Sequence, residues 1–394
     1  MSSERGPLAG VTVVALEQAV AAPLATRTLG DLGARVVKIE NPRGGDFTRT
    51  YDQVVHGQAA HFVWLNRGKQ SVALNVRHPD GRDVLRRLLS RADVLVSNLA
   101  PGATSRLGVG PDDLDRSHPD LISVEISGYG TGGPLSGKRA YDLLVQAEAG
   151  VCSLTGTPDA PAKPGPPFAD GVTGLYAAIS VLGALAERRG ARISVSMFDA
   201  MAEFMGYPLT WTAATGVEQE PVGMGSPAVA PYGAYPTADG RTVVLGTTND
   251  AEWTRLAALL GEPELVARYP HNAHRVAHRV ELDAVVGRWC ASRPLAEIQA
   301  AADAAGIGNS VYRTTNEVLA HPHLTARDRW RSVNTPGGPV DALLPPAIVA
   351  GRAAPMGPVP ELGEHTDAVL AELGYTSKDV AELRAAQVLG PLED

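Results

Sequence analysis

Asp170 is the residue whose neighbours best equip it to do chemistry. It follows a Pro- and Gly-rich stretch, Pro161 to Ala169, and precedes a long apolar pattern of helical spacing, Gly171 to Arg189. This spacing makes Asp170 the expected N-cap of that helix. There its carboxylate accepts from the first free N–H groups, faces the positive end of the helix dipole and stays ionised at neutral pH. A positioned, ionised carboxylate can act as a covalent nucleophile. An Asp in this place is also an ordinary helix cap, so its surroundings must decide between the two roles.

Arg77, Arg106, Lys138 and Arg139 each lie just after an expected strand or in the loop beyond it, the end at which open α/β sheets bind ligands. Singly each is a solvated charge; together they supply cations for a small molecule carrying several phosphates. His271, His274 and His278 share a helical face, but Arg275 and Arg279 stand beside them and no Cys or His-Glu-x-x-His accompanies them. No metal site is expected there, since like charges disfavour a cation. Neither a Gly-x-Ser-x-Gly nor a Walker pattern offers a competing nucleophile or phosphate loop.

The elements that must position these groups read as alternating strands and helices. Val11 to Leu16, Arg35 to Glu40, Ser71 to Val76, Asp93 to Asn98 and Leu121 to Ser127 are apolar runs rich in Val and Ile. Ala21 to Leu32 and Pro79 to Ala92 have helical spacing, the latter with Pro at its first turn. The pattern predicts an α/β fold with a mostly parallel sheet and helices on both faces. The first strand–helix turn lacks dinucleotide-binding glycines: it reads Glu17-Gln18-Ala19-Val20-Ala21-Ala22-Pro23, which argues against nicotinamide or flavin binding. Arg192 to Met197 is a further expected strand and Asp199 to Ala214 a helix. The expected division is a large domain over 1–215, a Gly/Pro-rich linker over 216–240, a small αβ domain over 241–330, and a return segment over 331–394 that rejoins the large domain.

At 394 residues, with 44% hydrophobic and 20% charged residues, the chain has ordinary globular composition. Cys152 and Cys290 are far apart, which argues against a disulfide framework. The polar start, Met1 to Gly6, and the shortness of the apolar stretch Leu175 to Ala186 predict neither a signal peptide nor a membrane span, and hence a cytoplasmic protein. A net charge of -8 without a basic tract offers nothing to nucleic acid.

Ordered motifs along nearly the whole chain resemble the family III CoA-transferases, the group containing formyl-CoA transferase and the carnitine-pathway CoA-transferases. They are Leu32-Gly33-Ala34-Arg35-Val36-Val37-Lys38-Ile39-Glu40, Asn66-Arg67-Gly68-Lys69, Asn98-Leu99-Ala100-Pro101-Gly102 leading to Arg106-Leu107-Gly108, Ser127-Gly128-Tyr129-Gly130, Tyr141 to Ala147, Ala169-Asp170, and Leu362-Gly363-Glu364-His365-Thr366.

The resemblance implies a Rossmann-like large domain with a smaller αβ domain, an interlocked homodimer, and no cofactor beyond CoA esters as substrates. It implies transfer of CoA from an acyl-CoA donor to a carboxylic acid through an aspartyl-CoA thioester on Asp170. Val20 and Ala21 then form the first CoA-contacting turn, Leu74 and Arg77 lie near the adenine and phosphates, Asn98, Leu99, Ala100 and Arg106 continue the site, and Arg139 and Tyr141 border the thioester. Formyl-CoA transferase has Gln where this chain has Val20, Tyr where it has His61, and Arg where it has Asn41; Arg43 is expected to replace that last cation. Gly223 and Gly225 are expected counterparts of the family's mobile glycine loop, and oxyanion donors are expected there or at the start of the Gly171 helix. The first turn, His61 and the run Tyr141 to Gly150 look most like members using succinyl-CoA and short dicarboxylates, with Gln18, His61 or Arg49 anchoring the distal carboxylate. Two alternatives stay open. A catalytically silent CoA-binding protein would keep the arginines; an α-methylacyl-CoA racemase would have His where this chain has Tyr141, and a phenol is a poor base at neutral pH.

Overall fold

The computed structural model describes residues 6–347 and 349–392, so of the polar start Met1 to Gly6 only Gly6 falls within it. The chain divides into two compact units. The first takes in the chain up to Ala149, Pro164–Gly206 and the chain from Ala326 onward; the second takes in Gly150–Lys163 and Tyr207–Thr325. The expected helix Asp199 to Ala214 is two helices, Met197–Phe204 and Gly206–Thr215. Pro208 has no N–H to give the Phe204 carbonyl, and Gly206 favours the break.

The first unit is built on six parallel strands: β1 (Thr12–Leu16), β2 (Arg35–Glu40), β3 (Gln70–Ala73), β4 (Val94–Ser97), β5 (Ile122–Ser127) and β6 (Ala191–Ser196), in the order β3-β2-β1-β4-β5-β6. Its β-branched residues are stiff at χ1 and favour extended backbone. Both faces are covered, which is why the runs are almost continuously apolar. Val14, Leu16, Val37 and Ile39 pack with Val84, Leu85 and Leu88 of α2 (Pro79–Leu89) and with Val369 and Leu370. Between β5 and β6 the chain forms α3 (Asp142–Glu148) and α4 (Phe168–Glu187), and Val13, Ala15, Val36 and Val124 pack on the other face with α1 (Ala21–Asp31) and α4. Full burial of each such Leu or Val contributes roughly 1.5–3 kcal/mol.

The chain runs from β1 outward to β2 and β3, then crosses back to β4 beside β1. The carboxyl ends of β1 and β4 therefore form the topological switch point at which an open α/β sheet holds its ligand. Opposite them stands α4, drawn tight against α1 at Gly174, where a Cβ would lie 2.6 Å from the Ala21 carbonyl oxygen. At twenty residues, α4 is long and apolar enough to cross a membrane by length and composition, beyond the expected stretch Leu175 to Ala186. Its Ala169, Val172, Ala177, Ala178 and Val181 are buried in this unit.

The second unit carries an antiparallel sheet of Tyr232–Pro236, Thr242–Gly246 and Gly308–Val311 packed by helices around Trp253, Leu256 and Val286. Its first strand lies inside the Gly- and Pro-rich stretch expected to be loop. Tyr232 of that strand packs on its neighbour, where a Cβ on Gly246 would meet the Tyr232 ring at 2.4 Å. Back in the first unit, Trp330–Thr335 and Gly338–Leu343 form a hairpin. Beyond it the Pro-rich return segment docks through the Pro358 carbonyl, which accepts from Gly68 N at 2.7 Å.

Candidate active site

The turn after β1 is fixed from several sides. Gln18 N donates to Asn98 Oδ1 (2.9 Å) and Asn98 Nδ2 donates back to the Gln18 carbonyl (2.7 Å), tying the ends of β1 and β4 together. The Asn98 side chain is thus occupied in holding the turn. Ala19 has φ +64°, a left-handed conformation that costs a residue with a Cβ about 1–2 kcal/mol. Its N–H faces Asp46 Oδ1 at 3.3 Å. Val20 then caps α1, and Ala21, the first helical residue, turns its N–H to the Asp170 carboxylate.

Asp170 is the third residue of α4 and not its cap. The helix starts at Phe168 because Asp142 caps it from a distance: Asp142 Oδ1 accepts from Ala169 N (2.9 Å) and Asp170 N (3.2 Å), while its Oδ2 accepts from Gln146 Nε2 (2.7 Å). Two expectations change as a result. The first-turn amides of α4 are spent on Asp142, which leaves the Ala21 amide as the backbone donor facing Asp170. And Asp170 is not held in its ordinary ionised range: burial and the Asp142 charge push its pKa up to about 7, against the pull of the Ala21 amide. A desolvated carboxylate beside a like charge gains by losing its charge, which favours its attack on an electrophilic carbon.

From Asp170 a cleft of ≈ 1260 Å³ runs along the switch point, more than most small-ligand sites occupy. Val20, Ala21, Phe47, Tyr51, His61, Tyr141 and Asp170 belong to its lining, as do Gln18, Leu74, Asn98, Leu99 and Ala100. Arg43, Arg77, Arg82, Arg106, Lys138 and Arg139 add six cations to the same wall. The long ligand that such a cleft admits is anionic along much of its length. Every lining residue belongs to the first unit.

Arg49 stands apart from this lining. Its Nε and Nη2 grip Glu40 at 3.0 and 2.7 Å, Nη2 also reaches the Pro360 carbonyl at 3.3 Å, and the guanidinium lies 3.7 Å over the Phe62 ring. It is a structural clamp and not a free cation for a substrate. Gly223 and Gly225 lie in the second unit, where Gly223, at φ +62°, donates to the Gly156 carbonyl at 2.6 Å.

Several lining residues escaped the sequence reading. Tyr51 stacks edge-on with His61 at 5.7 Å and Phe47 stands 5.7 Å from Tyr51, forming an aromatic wall at the Asp170 end. Burial together with the charges of Asp46, Asp170 and Tyr141 pushes the Tyr51 phenol up. Its only signal in the sequence is the spacing of two aromatics, Phe47 and Tyr51, four residues apart after Gly45-Asp46. Arg82 had a clearer one, a second arginine five residues past Arg77 in the first turn of α2, and it reaches the Arg77 carbonyl at 3.2 Å.

Residues 8–366 match the family model for CoA-transferase family III. The succinyl-CoA:D-citramalate CoA-transferase of Chloroflexus aurantiacus is 31% identical over 406 residues, covering 99% of this chain and 100% of that protein. The succinate–glutarate CoA-transferase of Agrobacterium fabrum is 32% identical over 394 residues, covering 95% and 97%. Among solved structures, a CAIB/BAIF family protein from Brucella suis has a TM-score of 0.81 at 33% identity, covering 94% of this chain and 100% of that one.

Proposed function

The chain belongs to CoA-transferase family III, and we propose that it moves CoA from succinyl-CoA to a short dicarboxylic acid through an aspartyl-CoA thioester on Asp170. CoA transfer is the activity of the class. The observation that carries the covalent reading is a partly buried carboxylate facing a backbone amide at one end of a long cleft lined by six cations.

In this reading a carboxylate oxygen of Asp170 attacks the donor carbonyl carbon and the C–S bond breaks, giving an acyl–aspartyl anhydride and CoA thiolate. The thiolate attacks the Asp170 carbonyl carbon and releases the donor's carboxylate, leaving the aspartyl-CoA thioester. The acceptor carboxylate then displaces the thiolate to form a second anhydride. Thiolate attack on the acceptor carbonyl frees the new CoA ester and the Asp170 carboxylate. No proton is gained or lost, so the protein needs no general base. Each tetrahedral intermediate carries an oxyanion, and the Ala21 amide is the donor nearest to hand. No cofactor beyond the CoA ester is needed.

The dicarboxylate choice rests on the two relatives named for succinyl-CoA:D-citramalate and succinate–glutarate transfer. With Arg49 committed to Glu40, Gln18 and His61 are the groups left to meet the distal carboxylate. We also place the enzyme in the cytoplasm as a homodimer. Leu143, Leu144, Leu175, Ile179 and Phe204 expose apolar surface on adjoining helices of the first unit, which a second copy can bury.

Incubation with succinyl-CoA followed by peptide mass spectrometry tests the mechanism, with a CoA adduct expected on the peptide holding Asp170. An adduct elsewhere, or none under turnover, overturns it. Pairing succinyl-, acetyl- and long-chain acyl-CoA with mono- and dicarboxylic acids tests the substrates. Higher specificity constants for monocarboxylates overturn the dicarboxylate choice alone. The near-neutral pKa of Asp170 also suits proton transfer, so deuterium wash-in at C2 of a 2-methylacyl-CoA tests the racemase reading; incorporation dependent on Asp170 would favour it.

A further inference from the structure

Two of the motifs that mark this chain, Leu32 to Glu40 and Asn66 to Lys69, contribute no group to the chemistry above. Their lysines lie beneath the site. Lys38 and Lys69 are 0% and 3% exposed and meet two equally buried carboxylates, Glu17 and Asp46. Lys69 Nζ donates to Glu17 Oε1 at 2.6 Å and Lys38 Nζ to the same oxygen at 3.3 Å, while Lys38 also reaches Asp46 Oδ2 at 2.8 Å. The other Glu17 oxygen accepts from Thr26 Oγ1 at 2.6 Å.

The contacts of this cluster converge on one stretch of backbone. Glu17 begins the turn, Asp46 receives the Ala19 N–H, Lys69 donates to the Pro23 carbonyl at 2.9 Å, and Thr26 sits on the second turn of α1. The last residue of that turn before the helix proper is Val20, and the next amide, Ala21, faces Asp170. We propose that Glu17, Lys38, Asp46, Lys69 and Thr26 are positioning residues that set the aim of the Ala21 amide at Asp170, and so act on the chemical step without touching the substrate. A buried ionic cluster is a poor source of net stability against apolar residues of the same size, whereas fixed directional contacts define a geometry. Here those contacts hold Ala19 in a conformation it does not otherwise favour.

This inference rests on the reading of Asp170 as the nucleophile, and its test is chosen to fail separately. Loss of a buried lysine is liable to unfold the protein, so the decisive variants are at Thr26, which is isosteric with Val. In Thr26→Val the Glu17 contact from α1 is lost; in Thr26→Ser it is kept. Amide hydrogen exchange resolved at Ala21 should quicken about tenfold in Thr26→Val and return to the wild-type rate in Thr26→Ser. With succinyl-CoA and a dicarboxylate, kcat should fall about three- to tenfold in the Val variant, KM for succinyl-CoA should stay within about twofold, and Ser should restore kcat. Unchanged exchange at Ala21 and unchanged kcat in folded Thr26→Val overturn the inference, as does an equal loss in both variants. If the wild-type enzyme transfers no CoA, the functional reading fails, and the exchange at Ala21 still decides whether the cluster aims that amide.

Discussion

Two groups of carboxylates lie on either side of the turn after β1, one fully and one partly buried, and burial acts on both in the same direction. Beneath the turn, burial alone would raise Glu17, Glu40 and Asp46, but Lys38 and Lys69 on Glu17, Arg49 on Glu40, and Lys38 on Asp46 outweigh it and hold all three below their ordinary range. Above it, Asp170 has burial and the Asp142 carboxylate pushing together, with one amide opposing, and rises to about 7. The sign of the nearest partner decides which carboxylate is structural and which is reactive. The lysines show the same rule: two facing carboxylates outweigh the burial of Lys38, whereas burial, with Lys38 adding repulsion, brings Lys69 down to about 8.

The comparison breaks most directly at Asp170. Asp170→Asn should bind CoA and lose at least about a thousandfold in kcat, because an amide cannot replace the covalent nucleophile. It should also be the more stable protein. The folded-state pKa of about 7 lies above the usual 3.8, so the folded state holds its proton more tightly than the unfolded one. Stability is therefore full at low pH and is lost as pH rises through about 7. The variant escapes that loss, and unfolding curves at pH 5 and 8 should show its advantage growing to about 1–3 kcal/mol at the higher pH. An advantage that shrinks with pH would contradict the raised pKa.

On the structural side the largest expected effect follows Lys38→Met. It leaves Glu17 and Asp46 short of a cation in a site where both are buried, at a cost of about 3–5 kcal/mol. Because Lys38 is what holds both pKa values down, the stability it contributes is present above the ordinary carboxylate range and lost as pH falls, so the deficit of the variant should be largest at neutral pH and shrink towards pH 4. Denaturant midpoints measured from pH 4 to 8 check this. Equal midpoints would mean that the cluster is not an ionic one.

Asp142→Asn separates the two causes at Asp170. The amide oxygen can still accept from Ala169 N and Asp170 N, so α4 keeps its cap. The like charge is gone, but burial remains the larger cause. The acid limb of kcat should therefore move down from near 7 by about one pH unit and stop short of the ordinary carboxylate range. A limb that stays near 7 assigns the whole shift to burial.

How far these differences were legible in the sequence depends on how local their causes are. The parallel sheet was legible because Val- and Ile-rich runs alternate with helical spacing, and Asp170 stood out because it opens a long apolar helix. Its exact place in that helix was not, since the capping group, Asp142, lies 28 residues upstream of Asp170. Arg49 looked like a free cation for the same reason: its partners, Glu40 and the Pro360 carbonyl, are brought to it only by the fold. Lys38 sits within Val36-Val37-Lys38-Ile39, a run whose other members read as core, and no local rule says that a lysine there is fully buried with two acids.

The smallest expected effect is at the residue joining the two regions. Ala19 is held at φ +64° with its N–H on Asp46. Glycine relieves the left-handed strain of the folded state but widens the unfolded ensemble, and the two effects nearly cancel, so Ala19→Gly should change stability by no more than about 1 kcal/mol. If the ionic cluster holds the turn, the backbone of the variant stays where it is, and kcat and its acid limb near 7 should be those of the wild type. A large fall in kcat at unchanged stability would show that the Ala19 side chain itself defines the turn, and the link drawn from the buried cluster through Asp46 to the Ala21 amide would then be broken at its middle.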